Sequence, residues 1–312
     1  MKRFTTAAVI TIISALCITM SSQKPYDFTR LHDELQDYIA GKDAKIGVAV
    51  IIDGNDTVEV NGGEEFPMLS VYKFPQALAI ADYCRRSNIA FDDTISIAAS
   101  EIRTDTYSPL RDKYGVKNLR LPVSELLAYS LQLSDNNACD ILFRLSEGTG
   151  TTDSTLRASG FHDIKVRYTE DEMHRDVDLC YLNSSTPTAM AMLIDRFNTE
   201  LRDKTPEYTR IAYLMETCAT GTDRLMAPLK HDVDAALLTV GHKTGTGDKN
   251  SSGRIIGIND VGYVNFPDGY RYSIAVFVSD SAHDFTETSS IIARISEMVY
   301  SAIKKSRAAD KQ

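Results

Sequence analysis

Apolar and polar positions divide this chain into β-rich ends and a helical middle. Phe28 to Ile39 carries apolar residues at helical spacing. Lys45 to Ile52 is β-rich, Asp53-Gly54-Asn55-Asp56 is a turn, and Thr57 to Val60 returns as the second arm of a hairpin. The other end has the same character. Gly253 to Phe266 is strand-like, Pro267-Asp268-Gly269 is a turn, and Tyr270 to Ser279 alternates in part. Asp284 and Glu287 then form a capping box for a last helix, whose apolar face is Ile291, Ile292, Ile295, Met298, Val299 and Ile303. The polar end, Lys304 to Gln312, is expected to fray.

From about Ser70 to Thr220 the pattern is helical. Pro122 is expected as the first residue of a helix with Val123, Leu126 and Leu127 on its apolar face. Thr186-Pro187 is a cap followed by proline, leading into Met190, Leu193 and Ile194. The expected fold is α/β plus all-α: an antiparallel sheet built from both chain ends, flanked by helices, with an inserted all-helical subdomain. The divisions are 1–21 as a leader, 25–66 and 222–306 as the α/β subdomain, 67–221 as the helical subdomain, and 307–312 as a flexible tail. There are no internal repeats.

The leader changes the cellular picture. Lys2 and Arg3 precede an apolar run from Ala7 to Ile18, broken only by Thr11 and Ser14. Small residues follow, so this reads as a secretory signal peptide, too short to span a bilayer by itself. The expectation is an exported, periplasmic, monomeric protein with no membrane span in the mature chain. Cys17 offers the alternative of a lipoprotein, although Leu16 before it is bulky for such a site. The formal net charge is −9, and −11 once Lys2 and Arg3 are removed. An acidic chain without a basic stripe argues against nucleic acid as partner. Four cysteines remain after the leader: Cys84, Cys139, Cys180 and Cys218. Export would permit pairing, and the sequence does not fix which would pair. Buried thiols are the default reading. No two cysteines stand at metal-ligand spacing and the histidines are scattered, so neither a metal nor another cofactor is expected.

Three short motifs carry the chemistry. Ser70-Val71-Tyr72-Lys73 is one of three Ser-x-x-Lys patterns, the others running from Ser21 to Lys24 and from Ser301 to Lys304. Ser134-Asp135-Asn136 and Lys243-Thr244-Gly245 each occur once, and only Ser70 has both downstream in that order. If Ser70 opens a helix, Lys73 lies on the same face and touches it. A serine hydroxyl needs a base, and a lysine with a lowered pKa can be one. Ser134 can pass a proton to a leaving nitrogen, and Asn136 can hold a substrate amide and Lys73. Asp135 reads as a turn or cap residue. Lys243 and Thr244 offer a charge and a hydroxyl to a carboxylate from an edge strand. Gly245 and Gly247 permit close backbone approach. The backbone N–H groups of Ser70 and Thr246 would form an oxyanion hole.

These motifs, in this order, resemble those of class A serine β-lactamases over nearly the whole mature length. The resemblance implies hydrolysis of a small-molecule β-lactam through a Ser70 acyl-enzyme. It also implies a glutamate on a loop between the second and third motifs that activates the deacylating water. Here that loop reads Thr169-Glu170-Asp171-Glu172-Met173-His174. The family pattern is glutamate with asparagine four residues on, so Glu170 is the favoured match, with His174 replacing asparagine. Glu172, with Asp176 four residues on, is the rival. The usual arginine two residues before the glutamate is Tyr168 here, with Arg167 one place off, which implies a loop held differently. Thr220-Gly221-Thr222-Asp223-Arg224 resembles the family segment that supplies an arginine near the Lys-Thr-Gly motif, so Arg224 is expected as a second carboxylate anchor. Tyr107 matches the aromatic at the cleft mouth. His242-Lys243-Thr244-Gly245-Thr246-Gly247-Asp248 and the loop histidine resemble the divergent, cephalosporin-preferring branch. Whether Lys73 or a Glu170-bound water is the acylation base stays open at this level. A DD-peptidase and a non-catalytic β-lactam sensor are the competing readings.

Overall fold

The two β-rich ends meet in one five-stranded antiparallel sheet. The computed structural model describes residues 28–231 and 237–309. The expectations on the leader, including its cleavage and Cys17, lie outside the described residues. From the N-terminus run α1 (Thr29–Ala40), β1 (Lys45–Ile52), β2 (Asp56–Val60), β3 (Phe66–Pro67) and α2 (Lys73–Arg86). Next come β4 (Thr94–Ile97), α3 (Pro109–Tyr114), β5 (Leu119–Pro122), α4 (Val123–Gln132), α5 (Asn136–Leu145) and α6 (Thr149–Ala158). They are followed by β6 (Ile164–Lys165), α7 (Glu170–Arg175), β7 (Ser184–Ser185), α8 (Pro187–Arg196) and α9 (Pro206–Glu216). The chain closes with β8 (Thr239–Thr246), β9 (Ile255–Asn265), β10 (Arg271–Ser281) and α10 (Phe285–Ala309).

The main sheet has the order β2-β1-β10-β9-β8. The first long strand therefore pairs with the last, Ala49 opposite Ala275. Its residues divide between two cores, as the two-residue period of a strand requires. Val48, Val50 and Ile52 join Leu31 and Leu35 of α1 and Ile292 and Ile295 of α10. Ala49 points the other way, into the cluster built by Met190 and Ile194 of α8, Phe277 of β10 and the helical middle. Both sheet faces are covered, which is why β9 and β10 are buried along nearly their whole length. Strand β8 lies at one edge of the sheet, beside the helices.

Two local expectations are corrected. Pro122 is not the first helical residue: it ends β5 in extended conformation, φ −68° and ψ 150°, and α4 starts at Val123. The pairing of Thr94 with Pro122 holds it in the strand. The C-terminal residues do not fray from 304. Helix α10 runs to 309. Arg307 holds it there, with its guanidinium 3.8 Å from the centre of the Phe266 ring and paired to Asp268. The Asp284–Glu287 box is formed, with Glu287 N–H donating to Asp284 Oδ1 at 2.8 Å.

Candidate active site

Ser70 sits where the sheet edge, the helical region and a strained turn converge. Leu69 holds φ +47°, a left-handed conformation that a branched side chain disfavours. The turn is tied down on both sides. Asn259 Nδ2 of β9 donates to the carbonyls of Pro67 and Met68, and Met68 N–H donates to the carbonyl of Asn183. Gly245 of β8 lies directly behind it. A Cβ at Gly245 would stand 2.5 Å from the Met68 carbonyl oxygen and 3.3 Å from Ser70 N, so only glycine lets the strand approach this closely. A single 3₁₀ turn, Leu69–Tyr72, carries the chain into α2.

Lys73, the first residue of α2, is fully buried. Its Nζ lies 2.9 Å from Ser70 Oγ, 2.9 Å from the Ser134 carbonyl and 2.7 Å from Asn136 Oδ1. The Glu170 carboxylate stands 2.8 Å away. Burial alone would pull this lysine's pKa down. Glu170, with Cys139 and Asp135, outweighs burial and raises it above the ordinary value. The lowered pKa on which the sequence reading made Lys73 a candidate base is therefore not met in the ligand-free protein. Lys73 is an ammonium, and it donates to the Ser70 hydroxyl.

Ser134 lies in the connection between α4 and α5, with φ +59°. Asp135 is the N-cap of α5, as read from the sequence. It accepts from Ala138 N–H at 2.8 Å, from Leu110 N–H at 2.6 Å and from Ser108 Oγ at 2.9 Å. This fixes Ser134 and Asn136 on either side of it. Ser134 Oγ receives a hydrogen bond from Lys243 Nζ at 3.0 Å, and Lys243 also donates to the carbonyl of Thr244 at 2.8 Å. Lys243 is fully buried, and burial pulls its pKa down to about 8. Two buried ammonium groups thus flank Ser134, Lys73 on its carbonyl and Lys243 on its hydroxyl.

Helix α7 carries the loop carboxylates. Thr169 caps it, and Glu172 returns its carboxylate to Thr169 N–H at 2.8 Å. Glu172 is thereby occupied in a capping box, while Glu170 faces Lys73. A second anchor comes from α5. The two oxygens of Asp140 accept from Glu170 N–H at 2.8 Å and from Asp171 N–H at 2.9 Å. Burial, with Glu170 nearby, raises the Asp140 pKa to about 7. The preceding segment is held by Asn183, whose Oδ1 accepts from the N–H groups of Arg167 and Tyr168. Asp140 and Asn183 thus fix a loop that lacks the usual arginine. His174 lines the cleft, but its Nε2 lies 3.3 Å from Asp105 Oδ2. His174 thus shares the cleft wall with Glu170 while its ring pairs with Asp105.

The resulting cleft encloses about 530 Å³. Ser70, Ser134, Asn136, Glu170, Tyr107, Thr244 and Thr246 all line it. Tyr107 stands at the mouth, 57 % exposed. Arg224 does not line it. Its guanidinium is buried behind β8, donating to the carbonyls of Gly245 and Asn259, both at 3.0 Å, and to Thr246 Oγ1 at 2.6 Å. The expected second anchor is thus a strut for the strand that bears Thr244 and Thr246. Sequence reasoning missed Asp140, although it lies four residues after Asn136 and so on the same face of α5.

A half-buried serine, a buried lysine, a second half-buried serine and a half-buried glutamate set around one cleft, beneath an edge strand with a cationic anchor, define a serine β-lactamase site on its sheet-and-helix scaffold. The chain belongs to the β-lactamase enzyme family, whose model matches residues 30–303. A β-lactamase of Bacteroides uniformis is 36 % identical over 95 % of this chain and 98 % of its own length. The β-lactamase VEB-1 of Pseudomonas aeruginosa is 34 % identical over 86 % of this chain and 88 % of its own. Among solved structures, the TLA-3 extended-spectrum β-lactamase superposes with a TM-score of 0.84 at 35 % identity, over 89 % of this chain and 99 % of that one. A representative class A β-lactamase from Bacteroides cellulosilyticus gives 0.82 at 34 % identity, over 89 % and 98 %.

Proposed function

We propose that this chain hydrolyses β-lactam amides through an acyl-enzyme on Ser70. One observation carries the reading. The Lys73 ammonium lies within 2.9 Å of the nucleophile and 2.8 Å of Glu170, so one cation links the attacking group to the carboxylate of the second half-reaction.

Because Lys73 is charged before substrate binds, it cannot accept the Ser70 proton as it stands. The proton leaves toward Glu170, through a bound water, or toward Lys73 after Lys73 has passed its own proton to Glu170. Both routes use the same short contacts. The Ser70 and Thr246 N–H groups receive the oxyanion. Ser134 protonates the leaving nitrogen, and its hydroxyl can be recharged from Lys243 at 3.0 Å. Lys243 and Thr244 bind the substrate carboxylate, and Asn136 holds both the substrate amide and Lys73. Tyr107 covers the mouth. Glu170 then drives water onto the ester. Glu170 separates this reading from a β-lactam sensor, which acylates and stays acylated. The leader supports a site of action in the periplasm, and we infer a monomer.

The deciding measurement pairs steady-state turnover of a chromogenic cephalosporin with intact-protein mass spectrometry. The unmutated protein is expected to turn over many equivalents, and Ser70→Ala to form no covalent adduct. A stoichiometric adduct without turnover in the unmutated protein would replace the hydrolase by a sensor. An adduct on Ser70→Ala protein would remove Ser70 as nucleophile.

A further inference from the structure

The helix that carries Glu170 is tied to another wall of the cleft by charged side chains that the proposed mechanism does not use. The tie starts at the second motif. Asn136 donates its N–H to the Tyr107 carbonyl at 3.1 Å and its Nδ2 to Thr106 Oγ1 at 2.9 Å. The next residue, Asn137, is buried and grips the backbone of Arg103 twice. Its Oδ1 accepts from Arg103 N–H at 3.0 Å, and its Nδ2 donates to the Arg103 carbonyl at 3.1 Å. Arg111 closes the loop from within, donating to the carbonyls of Thr104 at 3.0 Å and Thr106 at 2.5 Å. The segment 103–107 is thereby fastened to the first turn of α5.

From that base two side chains reach α7. Arg103 pairs with Asp171, the residue next to Glu170. The same guanidinium forks onto Asp105, with Nε 3.0 Å from Oδ1 and Nη2 2.8 Å from Oδ2. Asp105 Oδ2 in turn lies 3.3 Å from His174 Nε2, one helical turn beyond Glu170. Arg103, Asp140 and Asp171 line one recess of about 350 Å³ beside the helix.

We propose that Arg103 is a positioning residue for deacylation: its guanidinium, joined to Asp171 and Asp105, fixes α7 against the second motif and so sets where Glu170 holds the water that attacks the ester. The inference rests on the reading of Glu170 as the group that activates that water.

The geometry of α7 supports it. The helix has only six residues, Glu170–Arg175, too few to hold its own place, so tertiary contacts must position it. Asp140 takes the N–H groups of Glu170 and Asp171, which pins the helix start and leaves it able to turn about that point. Asp171 and His174 are three residues apart and share a face. Contacts to both therefore fix the roll and the tilt that Asp140 leaves free. Side chains within the helix do not supply this. Glu172 is occupied at the cap, and Arg175, which also pairs with Asp171, is 70 % exposed and belongs to α7 itself. Arg103 is 22 % exposed and comes from a different element. Its hydrogen bond holds Asp105 down at about 2, so the second arm of the tie stays ionised throughout the range of an assay.

The effect falls on one half-reaction. Deacylation needs carboxylate, water and ester in line, and a misplacement of about 1 Å can cost about a hundredfold. The ratio kcat/KM reports the steps up to acylation, whereas kcat reports the slower half-reaction. Losing the tie should lower kcat by about 10- to 100-fold, with KM falling alongside, kcat/KM held and acyl-enzyme accumulating.

The test uses full-length Arg103→Met, Asp171→Asn and the double variant, with Glu170→Gln and Arg175→Met as references. Stopped flow with a chromogenic cephalosporin separates acylation from deacylation, and intact-protein mass spectrometry reads the adduct. Arg103→Met and Asp171→Asn should each accumulate adduct. The double variant should deacylate no more slowly than the slower single, because all three remove the same pair. Arg175→Met should turn over like the unmutated protein. Unchanged deacylation in Arg103→Met overturns the proposal, as do losses that multiply in the double variant. Equal losses in acylation and deacylation overturn it too, since they mark a general disturbance of the fold. So does a loss in Arg175→Met as large as that in Arg103→Met. If Glu170→Gln is trapped and Arg103→Met is not, the positioning role alone falls. If Glu170→Gln releases product at the unmutated rate, the reading of Glu170 falls and takes the proposal with it. Asparagine matches aspartate in size, so Asp171→Asn carries the comparison if Arg103→Met does not fold.

Discussion

Replacing Arg224 by alanine separates a strut from an anchor. The guanidinium is 7 % exposed and makes three well-formed contacts, to two strand carbonyls at 3.0 Å and to a threonine hydroxyl at 2.6 Å. Hydrogen bonds to a charged group contribute about 1.5–3 kcal/mol each, so the gross loss is about 5–9 kcal/mol. Against this stands the cost of burying the charge, which here lowers the Arg224 pKa and offsets several kcal/mol. The net loss of folding stability is expected at about 2–4 kcal/mol. For a domain of this size that is a fall in Tm of about 3–7 °C.

Activity should fall because Thr246 loses its support, not because the substrate loses a partner. Calorimetry reads the first effect. The second is read by kcat/KM on a chromogenic cephalosporin and on its carboxylate methyl ester. A strut affects both substrates by the same factor. An anchor affects the free acid and spares the ester. An Arg224→Ala protein with unchanged Tm and a loss confined to the free acid would refute the structural role and restore the sequence expectation.

The loop yields two further tests. Glu170→Gln should acylate at Ser70 but release product slowly, leaving an adduct stable to mass spectrometry, whereas Glu172→Gln, which alters only the cap of α7, should keep most of its turnover; the reverse outcome would move the assignment by two residues. Asp140 gives a pH signature. Its native pKa, about 7, lies above the ordinary value of 3.8, so the native state holds that proton more tightly than the unfolded chain. Its ionisation therefore costs stability as pH rises from about 4 to about 7, by up to about 4 kcal/mol. The difference in urea stability between the unmutated protein and Asp140→Asn should shift in favour of the variant across that window; a difference independent of pH would place the Asp140 pKa in the ordinary range.

The sheet was legible because its strands are written in consecutive residues and its turns in Asp53-Gly54 and Asp268-Gly269. Local chemistry was legible for the same reason. Ser70 and Lys73 are one helical turn apart, and the Asp135 cap follows from its type and place. What escaped was the individual side-chain contacts between elements distant in the chain. Asp140 reaches the Glu170 N–H across 30 residues, and Arg224 reaches Asn259 across 35. Such contacts depend on how α5 and β9 pack, and no spacing rule encodes that. Pro122 misled because Ser, Thr or proline before an apolar run is compatible with a helix start or with the end of a strand, and the pairing with Thr94 decides.

The two buried lysines explain why one motif serves the chemistry and another the substrate. Both are fully buried, and burial penalises both charges alike. They differ in what answers that penalty. Lys73 has Glu170 at 2.8 Å, and its pKa ends above the ordinary value. Lys243 has a hydroxyl, a carbonyl and more distant anions, and its pKa ends at about 8. Lys73 is thus a completed ion pair, held ready to exchange a proton with the carboxylate it already touches. Lys243 is an incomplete one. In the proposed reaction the substrate carboxylate supplies the missing partner, so binding and the charge on Lys243 reinforce each other. A carboxylate built into the protein beside Lys243 would stabilise that ammonium permanently and compete with the substrate for it.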